Sequence, residues 1–203
     1  MVLEGLQPHP NLKWLTLSYY MGVRIPSWIS PITNLVHFQL LCNNRLQHLP
    51  PLNELPFLKV VCLWGMEALE YISDENSVSN VLGASSSSSS SKTPFFPSLT
   101  SLRIKECPNL KGWWRNSDDD DDDDNEPHHL ILPSFPPSLS ELVIWDCPNL
   151  TSMPLIPDLT SLKEPEIVRC PLLRLQTKRG RLFQIIQQEK TIYSGMYLSF
   201  YLL

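Results

Sequence analysis

The chain has 203 residues, is 42% hydrophobic, and carries 19 Pro against 7 Gly, which is enough apolar material for one sizeable core. Its formal net charge of −5 misleads, because Asp118 to Asp124 supplies seven negatives and the remainder sits near +2. Basic residues are not clustered and no recognised motif appears, so nucleic-acid binding is excluded. Five Cys, an odd number, at positions 42, 62, 107, 147 and 170 do not make a disulfide framework, and no signal peptide opens the chain. Both points favour a reducing, cytoplasmic setting.

In chain order, the opening MVLEGLQPHP looks like the tail of a repeat unit, with no polar capping element before Leu12. An uncapped solenoid exposes its apolar end, so the expectation is that more protein precedes it or that the chain is a fragment. From Leu12 onward one template recurs, L-x-x-L-x-L-x-x-C-x-x-L. It fits Leu12, Leu15, Leu17, Tyr20, Val23; then Leu35, Phe38, Leu40, Asn43, Leu46; then Leu58, Val61, Leu63, Met66, Leu69. It returns at Leu99, Leu102, Ile104, Cys107, Leu110 and at Leu139, Leu142, Ile144, Cys147, Leu150. A last unit reads Leu162, Pro165, Ile167, Cys170, Leu173, with Pro165 the misfit. The units start near 12, 35, 58, 99, 139 and 162, spaced by 23, 23, 41, 40 and 23 residues. The two long gaps are one period of 23 plus 18 and plus 17.

This is the leucine-rich-repeat pattern, whose period falls between about 20 and 29 residues. Within each unit x-L-x-L-x alternates at period two, so it predicts a short strand with one buried face. One such strand cannot bury that face alone, and stacking the units buries a continuous column. The expected fold is an α/β leucine-rich-repeat solenoid with a curved parallel sheet on the concave face. Prolines at unit boundaries (Pro50-Pro51, Pro97, Pro136-Pro137, Pro154) predict irregular or short helical segments on the convex face. The solenoid is expected over residues 1–175.

In four of the six units the eighth position after the start holds Asn43, Cys107, Cys147 or Cys170, where an inward small or polar side chain satisfies the bend. Cys107 and Cys147 each follow an acid, Glu106 and Asp146, but no His recurs beside them, so they are not read as ligands or nucleophiles. Two low-complexity inserts, about 74–93 and 115–131, hold the Ser85–Ser91 run and the Asp run; neither composition can bury enough apolar surface to order itself. Seven consecutive Asp lack the alternation and Gly of a calcium loop. The sequon Asn149-Leu150-Thr151 falls inside the repeat motif and is read as chance. The tail, 176–203, begins basic, offers LFQIIQQ (182–188) as a capping helix, and ends apolar but too short for a transmembrane span.

LEGLQPHPNLKWL (3–15), GVRIPSWI (22–29), LEYI (69–72), FFPSLTSLRIKECPNLKGWW (95–114) and PPSLSELVIWDCPNLTSMP (136–154) carry a resemblance. The chain resembles, over roughly residues 1–173, the C-terminal leucine-rich-repeat region of plant intracellular coiled-coil nucleotide-binding leucine-rich-repeat disease resistance proteins. The resemblance implies recognition of a pathogen-derived or host-guard protein and restraint of a nucleotide-binding domain. That domain and its coiled coil are absent here, so no nucleotide or other cofactor is carried over. The tail after Leu173 departs from the family's usual ending.

Geometry points to the same face. Outward residues fall in two rows, Ser18, Leu41, Trp64, Lys105, Trp145, Val168 and Thr16, Gln39, Cys62, Arg103, Val143, Glu166. Large aromatic and Arg side chains are enriched among binding hot spots. The expected protein-binding residues are Trp14, Tyr19, Gln39, Trp64, Arg103, Lys105, Trp145, Asp146 and Arg169. Asp146 and Glu166 are the only outward acids expected on neighbouring units. With no triad or paired-carboxylate cluster set by the repeat, no enzyme and no catalytic or metal residue is expected. The alternatives are a stand-alone leucine-rich-repeat adaptor or substrate reader, and a non-functional receptor gene fragment.

Overall fold

The computed structural model describes residues 5–6, 8–29, 31–73, 96–114, 134–156, 162, 165–176 and 182–183. In chain order the strands are β1 (Trp14–Ser18), β2 (His37–Leu41), β3 (Val60–Trp64), β4 (Tyr71–Ser73), β5 (Ser101–Lys105), β6 (Gly112–Trp114), β7 (Glu141–Trp145), β8 (Glu166–Val168), β9 (Leu175–Gln176) and β10 (Leu182–Phe183). One parallel sheet takes six of them in the order β1-β2-β3-β5-β7-β8. Strands β1, β2, β3, β5 and β7 each begin two residues after their unit start, and the shorter β8 joins in the same register. Leu15 pairs Phe38, Phe38 pairs Val61, Val61 pairs Leu102, and Leu102 pairs Leu142. A one-residue slip would turn every buried Leu to solvent, which fixes this register strongly.

The inward residues make one contiguous core running through all the units, from Leu35, Phe38 and Leu40 to Ile167, Cys170 and Leu173. A second hydrogen-bond ladder closes the units on the return side. The Lys111 amide donates to the Glu70 carbonyl (2.9 Å), Thr151 to Lys111 (2.9 Å) and Arg174 to Thr151 (3.3 Å). Strands β4 and β6 pair in parallel on this side, as do the single bridges Arg24–His48 and Ser134–Leu155. Among the described residues its only helical pieces are 3-10 turns, Ser27–Ile29 and Leu52–Glu54. The prolines forbid the continuous i→i−4 bonding that an α-helix needs.

Polar side chains staple unit to unit. The Asn109 amide donates to the Glu67 carbonyl and that of Asn149 to the Pro108 carbonyl, both at 2.7 Å. The hydroxyls of Ser98, Thr100, Ser138 and Ser140 donate to the carbonyls of Pro56, Lys59, Leu99 and Thr100. Thus the repeated Pro-Ser-Leu and Cys-Pro-Asn-Leu phrases are inter-unit fasteners. The Asn149 amide nitrogen and the Thr151 hydroxyl are both already bonded to the preceding unit, which supports reading that sequon as chance.

Three expectations change. Val23 does not fill the core position given to Leu46 in the next unit; it is 40% exposed. The return segment of the first unit is one residue shorter, since Gln47 and His48 both donate to the Val23 carbonyl and Arg24 bridges His48. The Tyr20 ring folds over Gly22 instead, and its hydroxyl donates to the Arg24 carbonyl at 3.1 Å. A Cβ on Gly22 would stand 2.2 Å from that ring, so any side chain there would push the ring aside. Second, β8 is three residues where the other strands of the sheet have five, because Pro165 has no N–H for the ladder. Third, the helix expected over 182–188 begins instead as β10, antiparallel to β9; residues 184–188 and the rest of the tail lie outside the described residues. So do both low-complexity inserts, including the Asp run and His128-His129.

Candidate binding face

The outward face of the sheet is a grid whose rows follow from the register. The middle row is Thr16, Gln39, Cys62, Arg103, Val143, Glu166, and the last row is Ser18, Leu41, Trp64, Lys105, Trp145, Val168. A first row, Trp14, His37, Val60, Ser101, Glu141, faces the same way. One residue beyond the last row, the chain turns through positive φ in every unit: Tyr19 (55°), Cys42 (54°), Gly65 (65°), Glu106 (53°), Asp146 (53°), Arg169 (54°). Five of these six left-handed residues carry a side chain, which costs roughly 1–2 kcal/mol each relative to right-handed backbone. The cost is offset because each bend continues the ladder. The amides of Tyr19, Cys42, Gly65, Glu106 and Asp146 donate to the carbonyls of Leu41, Trp64, Lys105, Trp145 and Val168 at 2.7–3.0 Å. The same turn carries Tyr19, Asp146 and Arg169 to one rim of the face.

Just inside that rim runs the buried row Asn43, Met66, Cys107, Cys147, Cys170. Asn43 is fully buried. Its Oδ1 accepts from the Tyr20 amide at 2.7 Å, and its Nδ2 donates to the Leu17 carbonyl at 2.9 Å. The Cys107, Cys147 and Cys170 thiols each donate to a carbonyl two residues earlier, Lys105, Trp145 and Val168, at 3.3 Å. The contact with Cys107, reinforced by burial, pushes the Cys147 thiol up to about 12. The contact with Cys147 and burial raise Cys170 as well. Such thiols are poor nucleophiles. All five Cys are free, and Cys107, Cys147 and Cys170 sit in the bend as the repeat position implies.

The nine residues expected to bind do not form one patch. Trp14 (55% exposed), Tyr19 (74%) and Trp64 (44%) open to solvent on the early units. Trp14 stacks on His37 with ring centres 4.2 Å apart, and its indole N–H donates to the Thr16 hydroxyl at 3.1 Å. Gln39 bonds the same hydroxyl at 3.4 Å. The later units are charged and self-paired. Arg103 makes a forked ion pair with Glu141, 2.8 and 3.0 Å from one guanidinium nitrogen to the two oxygens. Arg169 pairs with Asp146. Lys105 lies 4.1 Å over the Trp145 ring. Trp145 is half-buried and has no hydrogen-bond partner for its indole N–H.

Glu141 corrects the expectation that Asp146 and Glu166 are the only outward acids. The position before the first core residue of each strand faces the same side as the two expected rows, and the period-two rule alone would have found it. His37 was missed for the same reason. Cys62 lies between these halves, and burial raises its thiol against the lowering field of Arg103 and Lys105. Among the described residues no group of His, Cys, Asp and Glu is arranged to hold a metal. No helix among them is long and apolar enough to cross a membrane.

Sequence comparison agrees with the fold. Residues 1–66 match the family described as R13L1/DRL21 LRRs. The disease resistance proteins RGA4 and RGA1 of Solanum bulbocastanum are each 36% identical over 114 residues, 55% of this chain but only 11% and 10% of theirs. RGA2 of the same species is 34% identical over 76 residues, 36% of this chain and 8% of its own. This chain therefore spans about a tenth of the length of these relatives. No solved structure matches it. With six in-register units the chain is a leucine-rich-repeat solenoid, similar over part of its length to leucine-rich-repeat regions of plant disease resistance proteins.

Proposed function

We propose that the chain is a protein–protein interaction module of a plant innate-immune receptor, working in the cytoplasm. Its sheet face recognises a pathogen-derived or host-guard protein, and in a longer receptor the same solenoid restrains a nucleotide-binding domain. One observation carries the reading: Trp14, Tyr19 and Trp64 stand exposed on a register-locked sheet, beyond which Arg103 and Arg169 are already paired with Glu141 and Asp146. Large aromatic side chains held without a covering group are the usual anchors of binding energy, and a paired charge around them adds selectivity more than affinity. The similarity to disease resistance proteins supplies the setting. The test is proximity labelling in leaf tissue with the chain and with a Trp14→Ala/Trp64→Ala variant whose circular dichroism and unfolding midpoint are unchanged. Partners whose labelling drops at least about tenfold in the variant support the reading. An unchanged set of labelled proteins overturns it.

A further inference from the structure

The last row of the face crosses the solenoid as Leu41, Trp64, Lys105, Trp145 and Val168, side by side in successive strands. It is an apolar strip interrupted once, by a cation. Among the described residues Arg103 is held by Glu141, Arg169 by Asp146 and Lys111 by Glu70. Among the same residues Lys105 has no acid partner; its ammonium rests on the Trp145 ring, 4.1 Å from the centre, with the exposed Trp64 on its other side. A cation on an aromatic face keeps most of its charge available to a ligand anion. Resting on that proposed binding role, we infer that this strip takes an extended protein segment with a single carboxylate side chain set between apolar ones. The carboxylate meets Lys105, and the flanking apolar groups lie on Trp64 and toward Val168. Glu106 on the adjoining rim and Glu166 in the middle row are exposed acids, and they repel a run of negative charge. That disfavours a nucleic acid or a polyacidic tract and favours one acid among uncharged neighbours.

The test is selection of displayed random dodecapeptides on the full chain, with counter-selection on Trp64→Ala and a parallel selection on Lys105→Glu. Expected is a consensus with one Asp or Glu flanked by apolar residues. Its affinity, read on synthetic peptides, should fall at least about tenfold in Lys105→Glu, hold in Lys105→Arg, and weaken as salt rises. On Lys105→Glu the consensus should exchange its acid for Lys or Arg. Trp64-dependent peptides without an acid, or with affinity indifferent to Lys105→Glu, overturn the carboxylate inference and leave the binding face standing. A failure to enrich any Trp64-dependent peptide overturns both. Circular dichroism of each variant excludes misfolding as the cause.

Discussion

At the residue scale, two positions carry more than their size suggests. Asn43 is the one fully buried polar side chain of the bend row, and it serves the backbone of the preceding unit with both ends of its amide. Truncation in Asn43→Ala leaves a part-buried N–H and a part-buried carbonyl without this partner, so about 1–3 kcal/mol of stability should be lost. Urea unfolding monitored by tryptophan fluorescence measures it; a loss below 1 kcal/mol would mean that water replaces the amide. The left-handed bends make the opposite prediction. Glu106 holds φ near 53° with a side chain that pairs with nothing among the described residues. Glu106→Gly should raise stability by up to about 1 kcal/mol, the relief of left-handed strain less the added freedom of the unfolded chain. At Gly65 a Cβ would come within 3.3 Å of the Cys42 backbone, so glycine cannot be exchanged for alanine there on the same terms.

These residues also mark where sequence reading succeeds and stops. Burial of the Leu columns and the two outward rows follow from period-two alternation, and the structure places them so. The left-handed row has no such signature: Tyr, Cys, Gly, Glu, Asp and Arg share no chemistry, and only Gly65 hints at positive φ. The exposure of Val23 was hidden because a one-residue deletion in the return segment leaves the strand-to-strand spacing of 23 intact. Which side chains pair across the face, as Arg103 does with Glu141, depends on rotamers that spacing does not specify.

At the element scale, the buried thiol row makes stability sensitive to alkaline pH. Cys147 and Cys170 keep their protons in the folded chain above the ordinary thiol value of 9.0. Unfolded, the same groups ionise near 9, so the unfolded state sheds protons first. The stabilisation is complete below about pH 9 and is lost as pH climbs toward the folded value of about 12 for Cys147. Between pH 8 and pH 10.5 the unfolding free energy should fall by about 2 kcal/mol for each of these two thiols. Cys147→Ala should show a shallower fall over that range, at the cost of a lower value at pH 8. Equal slopes for the two proteins would assign the alkaline loss to other groups.

At the scale of the whole molecule, each unit touches only its neighbours, so stability is a sum of unit and interface contributions and the ends open first. Leu12, Leu15 and Leu17 are only half-buried, whereas Leu63, Leu102 and Ile144 in the middle are closed off. Hydrogen exchange followed by mass spectrometry should therefore protect β3, β5 and β7 most, with β1 and the Pro165-shortened β8 exchanging faster. Uniform protection across the sheet would indicate one all-or-none unit instead.

The return side holds a different consequence. Ser73 and Trp114 are register partners of β4 and β6, and from them the chain departs toward the Ser-rich and the Asp-rich stretches respectively. It comes back at Phe96 and Phe135, whose rings both stand edge-on to Trp113, at 6.0 and 5.3 Å between centres. Trp113, buried between these two rings, thus ties the return sides of two successive units together at the places where the chain re-enters the stack, so its loss is felt in both units at once.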